Sequence, residues 1–203
     1  MSDDDPTPPA ADPGPIEARA VAALFAVAAR DGWRRTTLAA IASEAGADLA
    51  DVKARFASRE AVLDRFIRDT DREVLDATLP RAEGETIRDR LFDVLMRRID
   101  AIQRNRAGVL AIRRAMARDP AAALGYLPVS LASLRWMLDA AGVPTGGLLG
   151  PLRAKVLLVL LVPVARAWER DDSADLGATM AELDRALARA ERAEGWAARL
   201  PCA

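Results

Sequence analysis

The chain offers little to covalent or acid–base chemistry. It contains no histidine, which removes the commonest general base, the histidine-activated nucleophiles and the commonest metal ligand. Its single cysteine, Cys202, is the penultimate residue and cannot alone form a thiolate metal site. Close-set acids occur at Asp69 and Asp71 and at Asp171 and Asp172, and both pairs read as solvated surface. The glycine-containing run GGLLGP at 146–151 lacks the Lys-Ser/Thr that a phosphate cradle needs. No catalytic residue, metal or cofactor is expected, and an enzyme is not the reading these residues support.

What remains is electrostatics. Arg34, Arg35, Lys53, Arg55 and Arg59 lie close together in sequence, interleaved with Thr36, Thr37, Asp48 and Asp51. The elements that must position them follow from capping and apolar register. Between Arg34 and Leu63 the pattern predicts two short helices, a tight turn and the start of a third, which is a helix-turn-helix. Thr36 or Thr37 caps the first helix, whose Leu38, Ile41, Ala42 and Ala45 repeat at i, i+3, i+4, i+7. Gly46 stops it. Asp48 then caps a second helix carrying Leu49, Val52 and Phe56 inward, and Ser58 caps a longer one over Arg59–Leu79, stopped by Pro80. The second helix is the one that would read DNA, and it opens with acid. Asp48 and Asp51 would face a polyanion, an arrangement that opposes binding, while Lys53 and Arg55 partly restore the balance. A carboxylate can accept from cytosine N4; equally, both aspartates can serve helix capping and the helix dipole.

Composition sets the frame for these elements. The 203 residues are 51% hydrophobic but only 4% aromatic, so the core is built from Ala, Leu and Val, and no segment alternates like a strand. An all-α fold of about nine helices is expected. Formal net charge is −1, but Asp3, Asp4, Asp5 and Asp12 concentrate in the first fifteen residues and leave the rest at +3. DNA binding would therefore depend on local placement of arginine and lysine. Residues 1–15, acidic with five prolines, read as a disordered tail and not a signal peptide. The isolated cysteine fits a reducing cytoplasm. Val156–Ala165 is strongly apolar but far shorter than the roughly 20 residues a membrane span needs, and reads as a buried or interface helix bent at Pro163.

Further helices are expected at Ile16–Arg30, Thr86–Gln103, Arg106–Arg118, Val129–Ala141, Leu152–Arg170 and Asp175–Glu191, with a loop over GVPTGGLLGP. The organisation that follows is a tail (1–15), a helix-turn-helix unit (16–63), a larger helical domain (64–192) and a C-terminal tail (193–203). Phe92, Met96, Met116, Tyr126, Trp136 and Met137 are the large, adaptable side chains available to line an apolar ligand pocket, or else they are ordinary core. In the tail, Ala193, Trp196, Ala197 and Leu200 recur at helical spacing and offer a weak membrane-surface contact; a frayed or docked terminus is the alternative.

The ordered set Leu24-Phe25, Gly32, Thr36-Thr37, Ile41-Ala42, Ala45-Gly46, Phe56, Ser58-Arg59-Glu60 and Leu63 resembles the tetracycline-repressor (TetR) family of regulators over roughly residues 16–68. The resemblance implies that Thr36 or Thr37 donates to phosphate, that Arg59 is a further phosphate contact, and that Arg34 and Arg35 add charge nearby. It also implies a homodimer joined through the last two long helices and an apolar effector held in the C-terminal domain. The recognition helix departs from the family pattern, which has a small Ser or Thr at its start and an aromatic before the closing Phe. Here Asp48, Ala50, Asp51 and Lys53 stand in that helix, with Arg55 before Phe56. A second resemblance competes. Gly32-Trp33, IRDRLFDVLMRRIDAI, Trp136 before Ala141-Gly142, and AWERDDSADLGATMAELDRAL look like the TetR-fold accessory proteins of coenzyme Q (ubiquinone) biosynthesis. That family implies an isoprenoid lipid as ligand and no operator DNA.

Overall fold

A computed structural model of the chain describes residues 15–78, 80, 83–147 and 149–197, with side chains as far as 192. The acidic, proline-rich stretch 1–14, Leu200 and the side chain of Trp196, the last two being the membrane-contact candidates, lie outside what it describes. Nine α-helices and one 3₁₀ turn make up the described residues. These are α1 (Ile16–Asp31), the 3₁₀ turn Trp33–Arg35, α2 (Leu38–Glu44), α3 (Leu49–Arg55), α4 (Arg59–Asp76), α5 (Ile87–Gln103), α6 (Arg106–Ala117), α7 (Pro120–Ala140), α8 (Leu149–Trp168) and α9 (Gly177–Ala197).

Local chemistry sets the boundaries. Thr37, Ser58 and Thr86 each accept a backbone N–H three residues on and so cap α2, α4 and α5. Asp48 occupies the cap position of α3 but makes no capping bond, which corrects the expected role. At the end of α2 the Gly46 N–H donates to Ser43 and the Ala47 N–H to Ala42, the paired closure that needs a left-handed residue, and Gly46 has φ +58°. The seventh helix begins at Pro120 rather than 129, because Asp119 caps Ala122 and proline is favoured in a first turn. It continues through Pro128, as α8 continues through Pro163. By length and composition α7 is also the one described helix able to cross a bilayer, and its Ser133, Leu134, Met137 and Leu138 are buried in the protein's own core.

Two apolar clusters organise the chain. The first gathers Leu24, Phe25, Ile41, Val52, Phe56 and Val62 from α1–α4, with Ile112 reaching in from α6. The second gathers Val74, Leu95, Met137, Leu157, Trp168 and Leu183 from α4, α5 and α7–α9. Burying each such side chain contributes about 1.5–3 kcal/mol. Two helices join the clusters. α4 supplies Val62 to the first and Val74 to the second. α6 lies so close to α1 that a Cβ on Gly108 would sit 2.6 Å from the Phe25 carbonyl oxygen.

The acid pairs read as surface from sequence are only half so. Asp69 and Asp172 are exposed, whereas Asp71 and Asp171 are buried. Asp71, on α4, accepts from Arg98 of α5 and from the Ser133 hydroxyl of α7 at 2.6 Å, so one carboxylate ties three helices. Asp171 accepts from Ser173 and from the backbone N–H and hydroxyl of Thr179, both at 2.8 Å. It thereby satisfies the open first turn of α9. Both departures have one cause: the partners come from turns and helices that spacing along the sequence does not bring into view.

Candidate nucleic-acid interface

Thr36 and Thr37, the first turn of α2, α3 and the start of α4 enclose a shallow concavity of about 460 Å³. Thr37, Leu38, Leu49, Lys53, Ser58 and Arg59 are on its wall. The cations around it divide into two groups. Arg34 and Arg35 on the 3₁₀ turn and Lys53 on α3 are exposed, and none has an ion-pair or hydrogen-bond partner among the described residues. The others are occupied by the fold itself. Arg55 donates to Glu17 of α1 at 3.1 Å and to the Asp51 carbonyl at 2.9 Å. Arg30 pairs with Glu44 at 2.7 Å and with Asp31.

Arg59 is committed most completely. Its Nη1 donates to the carbonyls of Trp33 at 2.6 Å and Thr36 at 3.1 Å, and its Nε to Glu60 at 2.8 Å. Its guanidinium also lies 4.4 Å from the centre of the Trp33 ring. Its Nε and Nη1 thus hold the 3₁₀ turn to the start of α4, and a phosphate contact of the kind implied for Arg59 would compete with these bonds. Of the two threonines offered as phosphate donors, Thr36 is turned inward. It is 0% exposed, and its hydroxyl donates to Gly32 O at 3.1 Å. Thr37 is exposed, and its hydroxyl accepts from Ala40 N, which leaves that hydroxyl's proton free to donate outward.

Leu49 was expected to point inward and does not. It is 42% exposed while Val52 is fully buried. α3 has seven residues and Phe56 lies beyond its end, so the apolar stripe is narrower than an i, i+3, i+7 count suggests. Asp48 and Asp51 are exposed and without a partner among the described residues.

The six residues expected to line a ligand pocket divide: Phe92, Met96 and Met137 meet at the second cluster, and the other three do not join them. Met96 packs against the second cluster and Met137 lies inside it, fully buried. Met116 and Tyr126 pack against the first cluster, where burial pushes the Tyr126 hydroxyl far above its usual range. Trp136 is 55% exposed on the outer face of α7. Phe92 lines an open groove of about 470 Å³ between α5 and α9, with Met180, Asp93 and Asp184. Helical spacing gives each residue a face but not the neighbour across from it. Among the described residues no three acidic, histidine or cysteine side chains cluster to hold a metal ion.

Comparison with solved structures gives this arrangement its place. The chain superposes on a TetR transcriptional regulator from Nitrosomonas europaea with a TM-score of 0.70, over 88% of this chain and 99% of the other, at 18% identity. A TetR regulator from Rhodococcus sp. RHA1 gives 0.59 at 20% identity, over 86% of this chain and 93% of the other. Salmonella enterica GusR gives 0.53 at 20% identity, covering 86% and 94%. No family model and no curated protein matches the sequence. The chain has the all-α fold of the TetR transcriptional regulators. Identity this low carries the architecture across and leaves the choice of contacts to the chain's own residues.

Proposed function

We propose that the chain is a cytoplasmic, non-enzymatic, TetR-type transcriptional regulator that binds operator DNA as a homodimer. One observation carries the reading. Lys53 on the wall of the helix-turn-helix concavity, and Arg34 and Arg35 on the 3₁₀ turn that leads into that wall, are exposed cations that folding leaves unpaired, and the Thr37 hydroxyl on the same wall is free to donate. Phosphate contacts of this kind supply most of the sequence-independent affinity and fix register on the duplex. The acids on α3 do not cancel them, since Asp51 lies on the other flank of that helix from Lys53.

Dimerisation is supported by α8. Leu152, Val156, Val159 and Val162 are 54%, 48%, 69% and 43% exposed and recur at helical spacing along one face. Paired with the same face of a second copy, and flanked by α9, they would form a four-helix interface. The two reading heads would then stand about 34–36 Å apart on successive major grooves. A small apolar effector in the second cluster would act through α4, whose Asp71 is tied to α5 and α7 while its first turn holds the 3₁₀ turn.

Selection of bound duplexes from a random pool at low salt tests the reading. The intact chain is expected to enrich a palindrome, and an Arg34→Ala/Arg35→Ala/Lys53→Ala variant to enrich none. A wild-type chain that enriches nothing overturns the regulator reading in favour of the lipid-accessory one.

A further inference from the structure

We propose that α3 reads bases mainly through Leu49 and Asp51, with Leu49 packing on the C5-methyl of thymine and Asp51 accepting from the N4 amino group of cytosine. The inference rests on the DNA-binding reading and specifies which base edges that interface selects. Its basis is which groups on α3 remain free. Val52 is 0% exposed and marks the inward direction. At about 100° per residue, Ala50 and Ala54 point almost directly away from it, with Leu49 and Lys53 on one flank and Asp51 and Arg55 on the other.

Guanine is usually read by an arginine or lysine donating to O6 and N7. Arg55, the only arginine on α3, is held by Glu17 and the Asp51 carbonyl. Lys53 lies on the concavity wall beside Thr37 and Ser58, where phosphate is the matching ligand. Leu49 is the one large apolar side chain of the first four helices left 42% exposed, and it lies on that same wall. In the major groove the apolar group of complementary shape is the thymine methyl. Nothing bulkier than alanine stands on the outward strip, so the helix can approach closely enough for that contact. The Asp51 carboxylate has only acceptor atoms and no partner, so it repels phosphate and guanine O6 and N7 and is satisfied by an amino edge.

The test uses the full chain and the palindrome it selects, rebuilt with deoxyuridine at each thymine in turn. Removal of the methyl facing Leu49 is expected to weaken binding about fourfold, and Leu49→Ala should bind thymine and uracil duplexes equally. Asp51→Ala, which removes an exposed and unpaired side chain, should admit other bases at the cytosine position with its thermal unfolding unchanged. Equal affinity for every thymine and uracil duplex overturns the Leu49 assignment while the regulator reading stands. An unchanged base preference in Asp51→Ala overturns the Asp51 assignment. A wild-type chain that binds no duplex at low salt overturns the regulator reading itself and this inference with it.

Discussion

Arg55 and Arg59 show how a cation that sequence assigns to a ligand can be claimed by the fold. Both stand where a DNA contact is expected, yet Glu17 lies on another helix and the carbonyls of Trp33 and Thr36 belong to a turn. Residue type was legible; the partner was not, because it comes from distant sequence. Thr36 and Leu49 exchange their expected places for local reasons: the Thr36 hydroxyl is drawn in by its bond to Gly32 O, and the seven residues of α3 give too few turns to define its inward face. Asp171 makes the same point and gives a pH prediction. Donation from the Ser173 hydroxyl, then the Thr179 hydroxyl and N–H, holds its carboxyl well below the usual range. The folded chain therefore binds fewer protons at this site than the unfolded chain. Its contribution is complete above about pH 4, the ordinary value, and is lost as pH falls through the depressed folded value. Thr179→Val, similar in shape but without the hydroxyl, should raise the folded value and move the acid-unfolding midpoint upward. An unmoved midpoint in a circular-dichroism titration would count against this role.

Element by element, the fold was legible because caps and apolar register are local. α1, α2, α3, α5 and α6 begin and end within a residue or two of expectation. α4 ends three residues short of expectation, α8 starts three residues early inside the expected loop, and α9 runs on to Ala197, six residues past its expected end. The largest departure is α7, whose first turns contain Ala, Gly and Pro with no amphipathic pattern, and which required its Asp119 cap to be recognised. The contacts between elements were not legible. Gly108 is the clearest instance, as its significance lies wholly in the approach of α6 to the Phe25 backbone. Alanine normally stabilises a helix interior by about 1 kcal/mol over glycine. Here the added methyl must displace α1, at a cost of about 1–3 kcal/mol typical of overpacking. Gly108→Ala should therefore lower stability in urea unfolding despite its better propensity. A stabilised variant would show that α1 and α6 are not locked at this point.

At the level of the molecule, two apolar clusters bridged by α4 and α6 place the helix-turn-helix concavity at one cluster and the exposed α8 face at the other. From sequence the run 156–165 reads as a buried or interface helix, and in the single chain its Val156, Val159 and Val162 are exposed and not buried. Of the six candidate pocket residues, Phe92, Met96 and Met137 share the second cluster, while Met116 and Tyr126 belong to the first and Trp136 to the outer face of α7. Val159 is the most exposed residue of the α8 stripe, at 69%. Val159→Asp is expected to convert a dimer into a monomer in light scattering without loss of helicity, and a variant that stays dimeric would place the interface elsewhere. The central claim is that Arg34, Arg35 and Lys53 are phosphate contacts, and the salt dependence of binding to the selected palindrome tests it most directly. Each neutralised phosphate contributes about 0.9 to the slope of log affinity against log salt, so removing three cations from each of two heads should flatten that slope by about 5. A triple alanine variant with the wild-type slope would contradict the account.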